Sequence, residues 1–113
     1  MCGIAGVIGP KLTEKERSRI IKTMRHRGPD GDGCYAYENV HLMHTRLAII
    51  DPQRGAQPMA LEWAGERYVI VYNGELYNTS EIRKELERMG HSFQTHSDTE
   101  VVLHAYAQWK QDA

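Results

Sequence analysis

The hydrophobic positions change period several times along these 113 residues. Residues 3–8, GIAGVI, are apolar at every step, the pattern of a strand covered on both faces. The stretch TEKERSRIIKTMRHRG turns to helical spacing, with Ile20, Ile21 and Met24 on one face. Thr13 and Glu16 stand at capping-box spacing at its start, and Gly28-Pro29 should stop it. Two strands are expected near 33–37 and 40–44, joined through Glu38-Asn39, with RLAII continuing extended to Asp51 and Pro52. QRGAQPM reads as a turn-rich loop. RYVIVY is a run of β-branched and aromatic residues expected as a buried strand. NTSEIRKELERMGH predicts a second helix, with Ile82, Leu86 and Met89 as its apolar stripe and Gly90 at its end. A short strand is expected at 92–94. In SDTEVVLHAYAQWK, Val102, Ala105, Tyr106 and Trp109 recur at helical intervals, behind a second capping-box spacing from Ser97 to Glu100. Helices mixed with hairpin-like strands predict an α+β fold. No G-x-G-x-x-G links a strand to a helix, which argues against a doubly wound dinucleotide fold.

Composition narrows the classes. With 41% hydrophobic and 26% charged residues the chain has the balance of a globular protein. A net charge of −1 and the lack of a basic run leave no footprint for nucleic acid. No apolar stretch is long enough for a bilayer, and no signal-peptide pattern precedes the first apolar run, so no membrane partner is expected and the cytoplasm is the default location. Two cysteines are too few for a disulfide framework or a zinc ribbon. Cys34, in GDGCYAY, reads as a small half-buried strand residue. The six histidines follow no metal-ligand spacing and are taken as structural or exposed, with His41 and His44 on opposite strand faces. No metal site is expected.

Cys2 stands apart. Excision of Met1, which a small second residue permits, would give this residue both a thiol and a free α-amine. An α-amine titrates near ~7.7–8.0 and can serve as a base at neutral pH. Thiol plus adjacent base is an activated nucleophile within one residue; with Met1 retained, the thiol lacks that base. The alternative is an incidental small residue in a strand. Asn73-Gly74, in YNGELYN, is a favoured hairpin turn. The same pair can also point a side-chain amide and a backbone N–H at a developing oxyanion. Arg46, in HTRLAII, is either a solvated edge residue or a fork for a carboxylate ligand. Asp98 suits the first turn of a helix for dipole reasons alone, and Glu75 is equally open.

Together MCGIAG, RHRGPDGDG, HTRLAIID, GAQPM, YNGELYN and SDTEVVLHAY resemble, in order and from end to end, the class II glutamine amidotransferase domain of the N-terminal nucleophile type. RGPDG and RLAIID favour its asparagine synthetase branch. The resemblance implies that Cys2 attacks the side-chain amide of L-glutamine to give a thioester and ammonia, with Asn73 and Gly74 as oxyanion donors. It implies that Arg46 binds the substrate carboxylate, that Leu47, Ala48, Ile49 and Ile50 line the pocket, and that Glu75 and Asp98 hold the α-ammonium. The charges agree with this: a zwitterion needs one fixed cation and at least one fixed anion.

The resemblance further implies an αββα sandwich of which residues 1–113 are the N-terminal portion, truncated on the C-terminal side. No cofactor is implied for glutamine hydrolysis; ATP and Mg belong to a C-terminal synthetase domain absent from this chain, which would consume the ammonia on activated aspartate. The alternatives are a non-catalytic module that binds glutamine or a partner chain, and the same domain of an enzyme with another ammonia acceptor. Strands so apolar, short of their neighbours, should be covered by a larger parent or by homo-oligomer formation.

Overall fold

The computed structural model describes residues 2–47 and 55–113. It is a mixed α and β structure with two small sheets. The first sheet has the order β1-β3-β2, from β1 (Gly3–Ile8), β2 (Gly31–Tyr37) and β3 (Val40–Arg46), all antiparallel. Gly3 stands opposite Thr45, and Gly31 opposite Arg46. The two-residue Glu38-Asn39 connection appears as expected, with Glu38 at φ 52°.

Helix α1 (Glu14–Met24) covers one face of this sheet. Its capping box forms in full: Thr13 Oγ1 accepts from the Glu16 N–H, and the Glu16 side chain accepts from the Thr13 N–H. Alternation along β3 then separates two environments. His41, Met43 and Thr45 point toward α1, where His41 Nε2 accepts from the Leu12 N–H and Thr45 Oγ1 donates to the Met24 carbonyl. His44 and Arg46 point the other way. The expectation that His41 and His44 occupy opposite faces holds, and both are fully buried.

The second sheet is a hairpin of β4 (Met59–Trp63) and β5 (Glu66–Ile70). Its turn residues Ala64 and Gly65 both have positive φ, 52° and 79°. The loop reading of QRGAQPM therefore ends too late, because Met59 already begins β4. Nor is RYVIVY a buried strand inside a sheet: among the described residues β5 stops at Ile70, pairs with β4 alone and starts with exposed residues. The hairpin meets the first sheet where the Arg67 guanidinium lies 5.6 Å over the Tyr35 ring.

Helices α2 (Thr79–Arg88) and α3 (Asp98–Trp109) pack on each other around Leu86, Val101 and Ala105, with Leu76, Ile82, Phe93 and Trp109 at the margin. α3 also contacts both strands of the hairpin. Ser97 caps α3 through the Glu100 N–H, but the reciprocal half of the box is missing. The Glu100 carboxylate instead accepts the backbone N–H groups of Gln94 and Thr95 and the Thr95 hydroxyl, at 2.7–2.8 Å. Those donors are thereby removed from any ladder, and the strand expected at 92–94 does not form. Cys34 is exposed rather than half-buried, because it lies on the edge strand β2. Ile4 and Ile8 of β1 are likewise exposed on the face away from α1.

Candidate active site

A cleft of about 450 Å³ opens where β1, the end of β3, the segment after β5 and the start of α3 converge. Cys2, Arg46, Leu47, Asn73, Gly74, Glu75 and Asp98 all line it, so residues chosen from four separate stretches of sequence meet in one place. Ala48, Ile49 and Ile50 lie outside the described residues, as does the extended course expected toward Asp51 and Pro52.

The thiol is held by backbone. The Leu47 N–H donates to Cys2 Sγ at 3.3 Å, and Sγ lies 3.7 Å from the Leu47 carbonyl oxygen. Arg27 Nε donates to the Cys2 carbonyl at 3.2 Å. Cys2 is thus fixed on both sides at the point where β1 begins.

Arg46 is placed by the RGPDG segment. The Asp30 N–H donates to the Arg46 carbonyl at 2.8 Å, and Pro29 bridges to Arg46 in parallel. This contact requires Gly28. A Cβ there would lie 2.5 Å from the Arg46 nitrogen and from the Thr45 carbonyl oxygen. A signal read as a helix stop therefore also fits the chain against β3, while α1 itself already ends at Met24.

Asn73 and Gly74 do not form a hairpin. Neither has a positive φ, and no strand follows β5 before α2 begins. The segment is tied to α3 instead, through the Leu76 N–H donating to Asp98 Oδ2 at 3.1 Å. The exposed Tyr77 hydroxyl donates to Glu75 Oε2 at 2.8 Å at the mouth of the cleft.

Charge is divided across the cleft. The Tyr72 hydroxyl is pushed up by burial and by the carboxylates of Asp98 and Glu75. On the other wall, burial pulls the His44 ring down; the Tyr72 carbonyl opposes that fall and the Arg46 cation adds to it. His44 is 1% exposed, and among the described residues neither ring nitrogen makes a hydrogen bond of good geometry. The cleft lining thus holds one cation, Arg46, and two carboxylates, Glu75 and Asp98, together with a thiol and an Asn-Gly pair.

Sequence reasoning missed His44, Gln57, Tyr72, Tyr77, Ser97 and Thr99 as lining residues, and Arg27 as an anchor of Cys2. His44 was accessible by period: it stands two residues before Arg46 in a strand and must share its face. Gln57 and Arg27 carried no such signal. No group of three His, Cys, Asp or Glu side chains suited to a metal occurs among the described residues, and no helix among them is long and apolar enough to cross a membrane.

The family model for the glutamine amidotransferase domain matches residues 1–113. The chain is 46% identical over 116 residues to the glutamine-hydrolyzing asparagine synthetase 3 of Bacillus subtilis (strain 168), a match covering 99% of this chain and 19% of that relative. It is 44% identical to asparagine synthetase 1 of the same organism, covering 100% of this chain and 18% of the relative. Against the glutamine-hydrolyzing asparagine synthetase of Zea mays it is 43% identical, covering 99% and 19% respectively. The chain thus spans about a fifth of the length of the curated relatives it matches. A thiol at the head of β1, a cation and two carboxylates around one cleft, and a match along the whole chain agree: this protein belongs to the glutamine amidotransferase domain family.

Proposed function

We propose that this chain is the N-terminal portion of a glutaminase domain that hydrolyses L-glutamine to glutamate and ammonia through a thioester on Cys2. The observation that carries the reading is the meeting of Cys2, Arg46, Glu75 and Asp98 in one cleft. Arg46 takes the substrate α-carboxylate, Glu75 and Asp98 take the α-ammonium, and Leu47 lines the pocket. That leaves the side-chain amide directed at the thiol.

After removal of Met1, the Cys2 α-amine accepts the thiol proton as sulfur bonds to the amide carbon. Asn73 and Gly74 donate to the resulting oxyanion, where preorganised donors act most strongly. The same amine gives the proton to the leaving nitrogen, the C–N bond breaks, and ammonia departs from the thioester. Water then attacks the carbonyl, its proton passes to the amine and on to sulfur, and glutamate is released. No cofactor enters these steps.

The two sheets with helices outside them fit one part of an αββα sandwich of the N-terminal nucleophile class. The ammonia then passes to activated aspartate in a synthetase region, with ATP and Mg serving there; the relatives' names as glutamine-hydrolyzing asparagine synthetases support this reading. Residues 1–113 then need that region as their partner.

The test is mass spectrometry of the intact protein, first for loss of Met1, then after treatment with a glutamine-like electrophile. One adduct on Cys2, with glutaminase activity lost in Cys2→Ala and kept in Cys34→Ala, is expected. An unlabelled Cys2 in a protein that still binds glutamine would make the chain a binding module.

A further inference from the structure

Gln57 sits in the cleft wall and makes two hydrogen bonds that the proposed chemistry does not use. Its Oε1 accepts the Tyr72 N–H at 2.5 Å, and its Nε2 donates to Thr99 Oγ1 at 3.2 Å. The orientation of the amide is fixed by chemistry, since a backbone N–H can only donate and so must face the oxygen. Tyr72 immediately precedes Asn73. Thr99 immediately follows Asp98 and is 4% exposed. One side chain therefore joins the residue before the Asn-Gly pair to the residue after the helix-terminal aspartate.

The bridge rests on a firm base. The Gln57 backbone is pressed against β2 at Gly33, where a Cβ would overlap the Gln57 carbonyl oxygen and lie 2.9 Å from Pro58 Cδ. Gly33 stands opposite His44 in the central strand β3. The far anchor, α3, is fixed on its own account by the Ser97 cap and by the bond from Leu76 to Asp98. Tyr72 lies past the end of β5, outside any ladder. A backbone with φ/ψ freedom gains position from the Gln57 contact.

We propose that Gln57 is a positioning residue: its side-chain amide locks the Tyr72-Asn73 backbone against the first turn of α3 and so keeps the Asn73 donor aimed at the oxygen of the reacting carbonyl. This rests on the reading of the cleft as a glutaminase site. Displacement of a reacting group by ~1 Å can cost on the order of 10²-fold, and outright removal of an oxyanion donor costs about 10²–10³ in kcat. Asp98 and Arg46 have their own anchors, so ground-state binding should be spared.

Glutaminase kinetics of the intact protein test this with Gln57→Leu, Thr99→Val, the double variant and Thr99→Ser. Gln57→Leu is expected to lower kcat about 10- to 100-fold with glutamine KM changed less than about threefold. Alkylation of Cys2 by iodoacetamide, which needs no oxyanion donor, should keep its rate. Thr99→Val should reproduce part of the loss, the double variant should be no worse than Gln57→Leu, as members of one bridge are non-additive, and Thr99→Ser should retain the wild-type rate. The inference fails if folded Gln57→Leu keeps kcat within about twofold, or if kcat and Cys2 alkylation fall and glutamine KM rises together with a loss of melting temperature. Should Gln57→Leu fold poorly, Thr99→Val decides by the same criteria. Absence of glutamine hydrolysis in the wild-type protein would instead overturn the glutaminase reading itself.

Discussion

Gly28→Ala probes the placement of Arg46 without touching any cleft side chain. The added Cβ would lie 2.5 Å from the Arg46 nitrogen and the Thr45 carbonyl oxygen. Carbon contacts are comfortable at about 3.5–4.0 Å, so the RGPDG segment and β3 must part by roughly 1 Å. Neither side yields easily. Thr45 is fully buried and bonded to the Met24 carbonyl, and the Asp30 N–H is committed to the Arg46 carbonyl. Overpacking of this kind costs about 1–3 kcal/mol. In a domain of this size each kcal/mol shifts Tm by about 4–8 °C, so a fall on the order of 4–24 °C is expected. The same 1 Å, passed to Arg46, should weaken capture of the substrate carboxylate, with glutamine KM rising on the order of tenfold to 10²-fold. Calorimetry and glutaminase kinetics on the same preparation measure both effects. Gly31→Ala is the control, because nothing lies within 4 Å of a Cβ there. If Gly28→Ala matches Gly31→Ala in Tm and KM, the close approach does not position Arg46.

Two further outcomes follow from the cleft and from the buried histidines. Arg46→Ala should weaken glutamine binding at least about tenfold, since a hydrogen bond to a charged group is worth about 1.5–3 kcal/mol; unchanged affinity by calorimetric titration would return Arg46 to an ordinary strand-end residue. Acidification should destabilise the fold between about pH 7.5 and 5.5. Burial, reinforced by His91, lowers the His104 pKa against a smaller opposing effect of Glu100, and burial also lowers that of His44. The unfolded chain then binds more protons near its ordinary value of about 6.5, so stability present above that pH is lost as pH falls through it. The drop in Tm should shrink in His104→Gln, and a Tm that is flat or rising on acidification would contradict the sign.

Local signals carried much of this fold. The Thr13–Glu16 box, the Ile82 and Leu86 part of the α2 stripe and the alternation that separates His41 from His44 each act within a few residues and appear as expected, whereas Met89, expected on that stripe, caps the helix end and is exposed. The errors arise where distant groups decide. Met59, Leu61 and Trp63 do alternate with exposed Ala60 and Glu62, but their turn is Ala-Gly rather than Asn-Gly, and β4 was hidden in a stretch dense with loop residues. Residues 92–94 were drawn out of a strand by a carboxylate six residues away from Gln94. Asn73-Gly74 carried a hairpin signature that tertiary bonds to α3 override. Cys2, Arg46, Asn73 and Asp98 were legible as candidates only as a set; each alone had an equally good local explanation. Gln57 was not legible, because both of its partners lie more than ten residues away.

The two-sided strand β3 has a consequence for how this sequence can change in length. His41 and Thr45 bond on the α1 side while His44 and Arg46 line the cleft, so the strand is written in a frame of two. Loss or gain of one residue between Val40 and Arg46 would slip that frame and exchange the two sets, sending His44 and Arg46 toward the helix and a methionine or threonine toward the cleft. Substitutions in β3 can be absorbed one at a time, but an insertion cannot be partial. Length variation is therefore more tolerable at the Ala64-Gly65 tip, which lies outside the β4–β5 pairing and where nothing is within 4 Å of a Cβ on Gly65, than in the strand, where a single codon would reassign the roles of the residues it displaces.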